Sequence, residues 1–180
     1  MENNVYLVKW YGPFESQEDV KDWEEEQQFK CSLYLIQGKL KYAKTRYKYY
    51  CGMSFKRFVY KRLKDKNHHI SDFERLDSIY VGCLANIKHP TKNQILVIEN
   101  IITASLAYIV GKDNILNEIN TLFPWESVFV INEWWKTTGE SVWSRQPKNA
   151  PPHIIPDVLT YHINDEGENE LYCCKKLKRI

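Results

Sequence analysis

The sequence predicts an α+β fold whose core elements follow the order strand, strand, helix, strand, helix. Short runs rich in β-branched and aromatic residues are bounded by glycine, and two other segments carry apolar residues at helical spacing. A chain of 180 residues with 43% hydrophobic residues can bury one such core. We expect a soluble protein with a strand-turn-helix segment over 1–30, the core over 31–123 and an extension over 124–180 packed on the core.

The N-terminal segment predicts a strand followed by an acidic helix. Val5–Trp10 alternates in the manner of a strand, and Gly12 and Pro13 then indicate a turn. Ser16 suits a helix N-cap because Asp19 follows three residues later, which is the spacing of a capping box. The helix is therefore expected to begin after Ser16.

The core opens with a predicted hairpin. Cys31–Ile36 has the composition of a strand, and a tyrosine-rich second strand ends at Gly52. Ser54 is a candidate N-cap for a helix predicted as far as Lys66. Its apolar residues, Phe55, Phe58, Val59 and Leu63, recur at helical spacing. The third strand is predicted over Ser78–Ala85.

The next helix lies in the apolar run Gln94–Gly111, which carries one carboxylate, Glu99, in its middle. An ionised carboxyl group is almost never fully buried without a partner, so Glu99 faces either water or a cation. A short helix is predicted around Ile115–Leu122. The extension predicts a strand in "SVFVINEWW", tryptophans that belong to its core, and a terminal hairpin formed by "VLTYHI" and "ELYCCKKL".

Charge is distributed unevenly along the chain, although the net charge is only +2. The segment 1–30 has eight acidic and three basic residues, whereas 39–66 has eleven basic residues and a single acidic one. Five tyrosines lie in that basic window. Cations interleaved with aromatic residues suit a polyanion such as a nucleic acid, and a solvated hairpin face with lysine-protected edges is the alternative.

Cysteine usage and the polar N-terminus predict a cytoplasmic protein. The five cysteines lack CxxC spacing, which argues against a disulfide framework and against a zinc site. Met1–Asn4 is polar and acidic where a signal peptide would be basic, and the longest apolar run is interrupted by Glu99. We expect no membrane partner.

Two tripeptides and two later residues resemble the signature of the GIY-YIG nucleases. "SLY" ends at Tyr34, "YCG" begins at Tyr50, and Arg62 and Glu99 stand on the two helices that follow. The resemblance implies a small domain with a three-stranded mixed or antiparallel sheet flanked by helices. It departs from the family in keeping only the tyrosine of the first tripeptide and in placing Lys66 where many members have histidine.

The resemblance also implies a catalytic role for each matched residue. Glu99 would be the single protein ligand of Mg²⁺ or Mn²⁺, which prefer oxygen donors. Tyr34 would orient or deprotonate the attacking water, and Tyr50 would hold the scissile phosphate or a metal-bound water in line. Arg62 would clamp the non-bridging phosphate oxygens. Lys66 or His69 would assist in proton transfer or in stabilising charge.

His69 is favoured over His68 on helical geometry. If the helix that carries Arg62 continues, Arg62, Lys66 and His69 share one face and His68 points elsewhere. The sequence therefore predicts His69 as the histidine of the site.

The predicted partner is duplex or branched DNA, and the short layout resembles restriction-type and mobile-element nucleases. The residues predicted to contact nucleic acid are Lys44, Arg46, Lys48, Lys56, Arg57, Lys61 and Asn132. For Asn132 the resemblance also implies a structural role or a role in positioning metal-bound water. One alternative is a catalytically inactive nucleic-acid-binding module on the same fold. Another is an interaction protein in which the acidic helix and the basic hairpin pair between the subunits of a homodimer.

Overall fold

Seven strands pair into one mixed sheet in this computed structural model, which describes residues 4–28, 31–43, 45–117, 127–140 and 147–174. The strands are β1 (Asn4–Phe14), β2 (Cys31–Leu40), β3 (Lys48–Phe55), β4 (Phe73–Leu84), β5 (Val128–Trp135), β6 (Val158–Ile163) and β7 (Asn169–Cys174). Their order across the sheet is β3-β2-β4-β1-β5-β6-β7. The helices are α1 (Gln17–Gln27), α2 (Val59–Leu63), α3 (Lys92–Val110) and α4 (Pro151–Ile154), with 3-10 turns at His69–Asp72 and Lys112–Asn114.

The predicted three-stranded sheet flanked by helices is wrong. The three core strands do lie side by side as β3-β2-β4, all antiparallel, but β4 also pairs with β1, and β1 continues the sheet through β5 to β6 and β7. The parallel pairing of β1 with β5, for example Val5 with Phe129, makes the sheet mixed. Parallel partners so far apart in sequence leave no local signal, which is why the strand patterns did not reveal the larger sheet.

Several predicted boundaries are confirmed because they depend on local chemistry. The Ser16 hydroxyl accepts the N–H of Asp19 at 3.1 Å, and the Asp19 carboxylate accepts the N–H of Ser16 at 3.0 Å, so the capping box that begins α1 is complete. The long helix α3 ends at Val110, just before Gly111, and β6 and β7 form the predicted terminal hairpin. The predicted helix around 115–122 lies largely outside the described residues.

The helix predicted to begin at Ser54 is much shorter than expected. Ser54 belongs to β3, and its hydroxyl donates to the carbonyl of Arg57 at 2.8 Å, which closes a turn where the helix was expected to begin. Lys56 in that turn has a φ of 56°, a left-handed conformation that no helix tolerates. Helix α2 therefore spans only Val59–Leu63.

The sheet separates two buried clusters of side chains. One lies between the sheet and α3, whose residues Ile95, Ile98, Ile101 and Ile102 are fully buried. Length and composition alone would allow α3 to cross a bilayer, but here its apolar face forms this core. The other cluster lies under α1 and α2 and includes Tyr34 and Tyr50, the two tyrosines of the tripeptides.

The buried carboxylate of Glu24 links α1 to α2 through hydrogen bonds. Glu24 is completely buried, and its two carboxylate oxygens accept the backbone N–H groups of Val59 and Tyr60, each at 2.8 Å. These amides open α2 and have no partner within the helix. Burial raises the pKa of Glu24 to about 7 against the effect of the two hydrogen bonds. Through Glu24, the N-terminal segment fixes the helix that carries Arg62.

Glu24→Gln is expected to lower the free energy of unfolding by about 1–3 kcal/mol, because an amide can accept only one of the two N–H groups and leaves the other buried and unpaired. Urea unfolding at pH 8, where the carboxyl group is ionised, measures this loss. Glu26→Gln, an exposed change on the same helix, is the control and should leave the midpoint unchanged. Equal midpoints for the two variants would contradict the proposed role of Glu24.

Candidate active site

The predicted catalytic residues converge around β3, the first strand of the sheet. Tyr34 on β2 lies opposite Gly52 of β3, and its ring centroid is 6.0 Å from that of Tyr50. Helix α3 brings Glu99 to the same edge. A cleft of about 280 Å³ opens there, lined by Tyr50, His69, Leu96, Glu99, Asn100, Thr103 and Asn117.

Tyr34 is fully buried at the inner side of this group. Burial, more than any charge nearby, raises its pKa, while Arg62 acts in the opposite direction. A Cβ at Gly52 would collide with the Tyr34 phenol ring, so the glycine of "YCG" is required by the tyrosine of "SLY" across the strand pair. The two tripeptides are thus parts of one packing arrangement.

The expectation that His68 points away from the site is wrong, because α2 ends at Leu63 and the helical spacing does not apply. The His68 ring is buried, and its Nε2 lies 2.8 Å from the Tyr34 hydroxyl. Its Nδ1 accepts the N–H of Ile70 at 3.0 Å. Burial, followed by Arg62, lowers its pKa to about 4, so at neutral pH the single ring proton is on Nε2 and is donated to Tyr34.

His69, the histidine predicted for the site, lies at the rim of the cleft. Its ring centroid is 5.0 Å from that of Tyr50, and its Nδ1 is 2.9 Å from an oxygen of Asp72. The side chain is partly exposed. Lys66 is exposed beyond the end of α2, so the shared helical face predicted for Arg62, Lys66 and His69 does not exist.

Arg62 acts electrostatically on the whole group. Its Nη1 donates to an Asp65 carboxylate oxygen at 2.5 Å, and Arg57 binds the same oxygen at 2.7 Å. The guanidinium also favours the ionised forms of Tyr34 and Glu99 and opposes protonation of His68. Asp65 therefore fixes the orientation of Arg62 beside the two tyrosines.

Glu99 is half-buried and has no hydrogen bond or ion pair within the described parts of the chain. Burial raises its pKa to about 7, and Arg62 only partly offsets this. Arg62 alone does not compensate a carboxylate in this position, and a divalent ion with oxygen ligands would supply the remaining positive charge. No cluster of three or more His, Cys, Asp or Glu side chains suited to a metal occurs among the described residues.

The basic residues predicted to contact nucleic acid differ in whether they are exposed or bound to other groups of the protein. Arg46, Lys56 and Lys61 are exposed. The Lys48 ammonium donates to the carbonyl of Asp113, and Arg57 is held by Asp65. Lys44 lies outside the described residues.

The predicted contact of Asn132 with nucleic acid does not fit the structure. Its side chain on β5 is only 3% exposed and accepts the indole N–H of Trp10 at 2.8 Å. It also donates to the carbonyl of Pro156 at 2.9 Å. Asn132 satisfies buried polar groups in the core, where Trp10 stacks on Trp134 at 5.6 Å.

Two site residues were not predicted from the sequence. Helical spacing excludes His68 only if the helix continues, and α2 ends at Leu63. Asn117 was overlooked altogether: its side chain accepts the N–H of Cys51 at 2.9 Å and donates to the Cys51 carbonyl at 2.6 Å, which closes the cleft beside β3. An isolated asparagine after a helix carries no signal for such a contact.

Comparison with known proteins yields no matching family model, no curated relative and no matching solved structure.

Proposed function

We propose that this protein is a metal-dependent endonuclease that hydrolyses phosphodiester bonds of DNA. The observation that carries the proposal is the half-buried Glu99 carboxylate, which has no ion pair among the described residues, is only partly compensated by Arg62, and shares a cleft with Tyr50. Arg62, Tyr34 and His68 adjoin this cleft as one electrostatically coupled group. The order of these residues along the chain resembles that of the GIY-YIG nucleases.

Glu99 is the residue that would hold Mg²⁺ or Mn²⁺. When bound, the ion would act as a Lewis acid on the phosphate and lower the pKa of a water molecule. The carboxyl group must first lose its proton, and its pKa of about 7 makes this step sensitive to pH.

Arg62 is suited to bind the non-bridging phosphate oxygens. Asp65 holds Nη1, which fixes the plane of the guanidinium and leaves its other N–H groups to face a phosphate. The charge that develops on those oxygens in the transition state would be stabilised by a donor that needs no reorientation.

Tyr34 is suited to orient the nucleophile rather than to deprotonate it. Burial keeps the phenol protonated at neutral pH, and the N–H of His68 occupies one lone pair of its oxygen. Tyr34 is fully buried and its hydroxyl proton is directed toward Tyr50, which lines the cleft, so Tyr34 would orient the nucleophile through Tyr50. His68 fixes this geometry and would stabilise negative charge on Tyr34 if it formed.

The basic surface beside the site is suited to the DNA backbone. Lys56 lies near the ring of Phe55 at 5.3 Å, and Lys61 lies near the ring of Phe58 at 5.6 Å. Exposed cations supported by aromatic rings bind phosphates without reading sequence. Binding should therefore weaken steeply as salt rises.

The test is cleavage of supercoiled plasmid by purified protein in Mg²⁺, in Mn²⁺ and in chelator, with the Glu99→Gln protein run in parallel. The proposal requires nicked or linear product that depends both on metal and on Glu99. Equal cleavage by the two proteins would contradict it. DNA retardation in low salt with no product in either metal would instead indicate a binding module without catalysis.

Substituting the two histidines separates their roles. His68→Leu is expected to slow cleavage by about 10²-fold, because leucine has no N–H donor to orient Tyr34, whereas His69→Gln at the rim should change the rate less than about threefold. Single-turnover cleavage rates and thermal unfolding of both proteins give the comparison. A larger loss in His69→Gln would return the catalytic role to the histidine predicted from the sequence.

A further inference from the structure

Helix α3 places a second polar side chain in the candidate active site, one turn after Glu99. Thr103 lines the same cleft of about 280 Å³. Residues four apart lie on one face of a helix, with their Cβ atoms about 5–6 Å apart. Side chains on a helix also lean toward its N-terminus, so the Thr103 side chain leans toward the turn that carries Glu99.

The hydroxyl of Thr103 is buried without a hydrogen bond. The residue is only 5% exposed, and its Oγ1 has no hydrogen-bond partner within the described parts of the chain. A helical threonine can donate to the carbonyl four residues earlier, here that of Glu99, but this bond is not formed. Buried polar groups without a partner are rare in folded proteins because they cost free energy, so this one calls for an explanation.

The thiol of Cys51 connects the hydroxyl to Glu99. Burial raises the pKa of this fully buried thiol, Glu99 raises it further, and the Thr103 hydroxyl lowers it. The carboxylate and the hydroxyl therefore both act on the same side chain of β3. A thiol is a weak hydrogen-bond partner, so the hydroxyl proton remains available to a stronger acceptor.

The Glu99 carboxylate is such an acceptor. It accepts no hydrogen bond from the residues that the structure describes, although it shares the cleft with Thr103. Carboxylates that hold a metal are normally hydrogen-bonded to a further residue, which fixes the orientation of their oxygens. Threonine has two favourable rotamers in a helix, so rotation about its Cα–Cβ bond can turn the hydroxyl toward the carboxylate.

We propose that Thr103 is a positioning residue for Glu99: its hydroxyl donates a hydrogen bond to the ionised carboxylate and fixes the orientation of that carboxylate in the cleft. The inference rests on the proposed function, because it concerns the carboxylate that would hold the metal. It deepens that function by explaining why a hydroxyl is buried at this position of an otherwise apolar helix. Thr103 acts through Glu99 and has no contact of its own with the substrate.

Mn²⁺ binding, followed by electron paramagnetic resonance at pH 8 without DNA, tests the inference independently of cleavage. Thr103→Val keeps the shape of the side chain but removes the hydroxyl, and it is expected to weaken Mn²⁺ binding by about 10-fold or more. Thr103→Ser restores the hydroxyl and should recover most of the affinity. Ser105→Ala removes another buried hydroxyl from the same helix and is the control, which should bind Mn²⁺ like wild type.

Thermal unfolding without metal distinguishes this role from a structural one. Thr103→Val should unfold at the same temperature as wild type or at a higher one, because it removes a buried polar group that has no partner. A residue that only stabilised the fold would show the opposite pattern, a lower midpoint with unchanged Mn²⁺ affinity. Equal affinities of wild type and Thr103→Val, or an affinity that Thr103→Ser does not recover, would overturn the inference.

The Glu99→Gln protein separates failure of this inference from failure of the proposed function. If Mn²⁺ binding depends on Glu99 while Thr103→Val binds like wild type, the metal site stands and Thr103 has no part in it. If wild type and Glu99→Gln bind Mn²⁺ equally, or neither binds it, Glu99 is not the ligand. The proposed function is then contradicted, and the inference is overturned with it.

Discussion

Glu99→Gln is expected to slow DNA cleavage by about 10²–10³-fold, the order of loss that follows removal of a principal electrostatic group from an active site. Glutamine keeps the size of the side chain but cannot carry the negative charge that would hold a divalent ion. Single-turnover rates at saturating DNA measure the loss. Glu74→Gln, an exposed change on β4, is the control for unrelated loss of charge and should cleave like wild type.

The same substitution is expected to leave the fold intact or to stabilise it at pH 8 without metal. Burial raises the pKa of Glu99 above its ordinary value to about 7. A carboxyl group whose pKa is raised on folding contributes stability that is present below its unfolded pKa and is lost as pH rises through 7. Glutamine does not ionise, so the Glu99→Gln protein does not lose this stability as pH rises. A lower thermal midpoint for Glu99→Gln at pH 8 would instead show that the carboxylate stabilises the protein through an ion pair.

The raised pKa also predicts how wild-type activity depends on pH. Metal binding requires the ionised carboxylate, so at limiting Mg²⁺ the cleavage rate should rise between pH 6 and pH 8, around the pKa of about 7. Saturating Mg²⁺ should shift this rise to lower pH, because the ion competes with the proton. A rate that does not respond to metal concentration at pH 6 would contradict the assignment of Glu99 as the ligand.

Arg62→Ala is expected to slow cleavage by about 10²–10³-fold, whereas Arg57→Ala should change the rate only a few-fold. The two arginines are a matched pair: both bind the same oxygen of Asp65, and their side chains are 38% and 41% exposed. Exposed ion pairs of this kind contribute at most about 1 kcal/mol to stability, so both variants should unfold like wild type. Rates measured beside urea unfolding separate catalysis from stability.

Arg62→Lys refines the prediction about phosphate binding. Lysine keeps the charge but lacks the planar fork that binds two oxygens, so an intermediate rate is expected. Full activity of Arg62→Lys would show that only charge is needed at this position. Equal losses in Arg57→Ala and Arg62→Ala would assign both residues to general attraction of DNA rather than to the transition state.

By itself the sequence determined the features that depend on neighbours along the chain. The Ser16–Asp19 capping box, the end of α3 before Gly111 and the β6–β7 hairpin follow from local hydrogen bonding and side-chain periodicity. The sequence also predicted that Tyr34 and Tyr50 lie on adjacent strands, since a hairpin fixes the register of its own two strands.

Tertiary structure decided what depends on contacts distant in sequence. Only folding pairs β1 with β5, which turns a small sheet into a seven-stranded one and buries Asn132 under Trp10. Only folding ends α2 at Leu63 and so places His68, rather than His69, against Tyr34. The apolar run around Glu99 indicates an unusual carboxylate. Its partial burial and its distance from an ion-pair partner depend on what packs around α3, which no periodicity along the chain encodes.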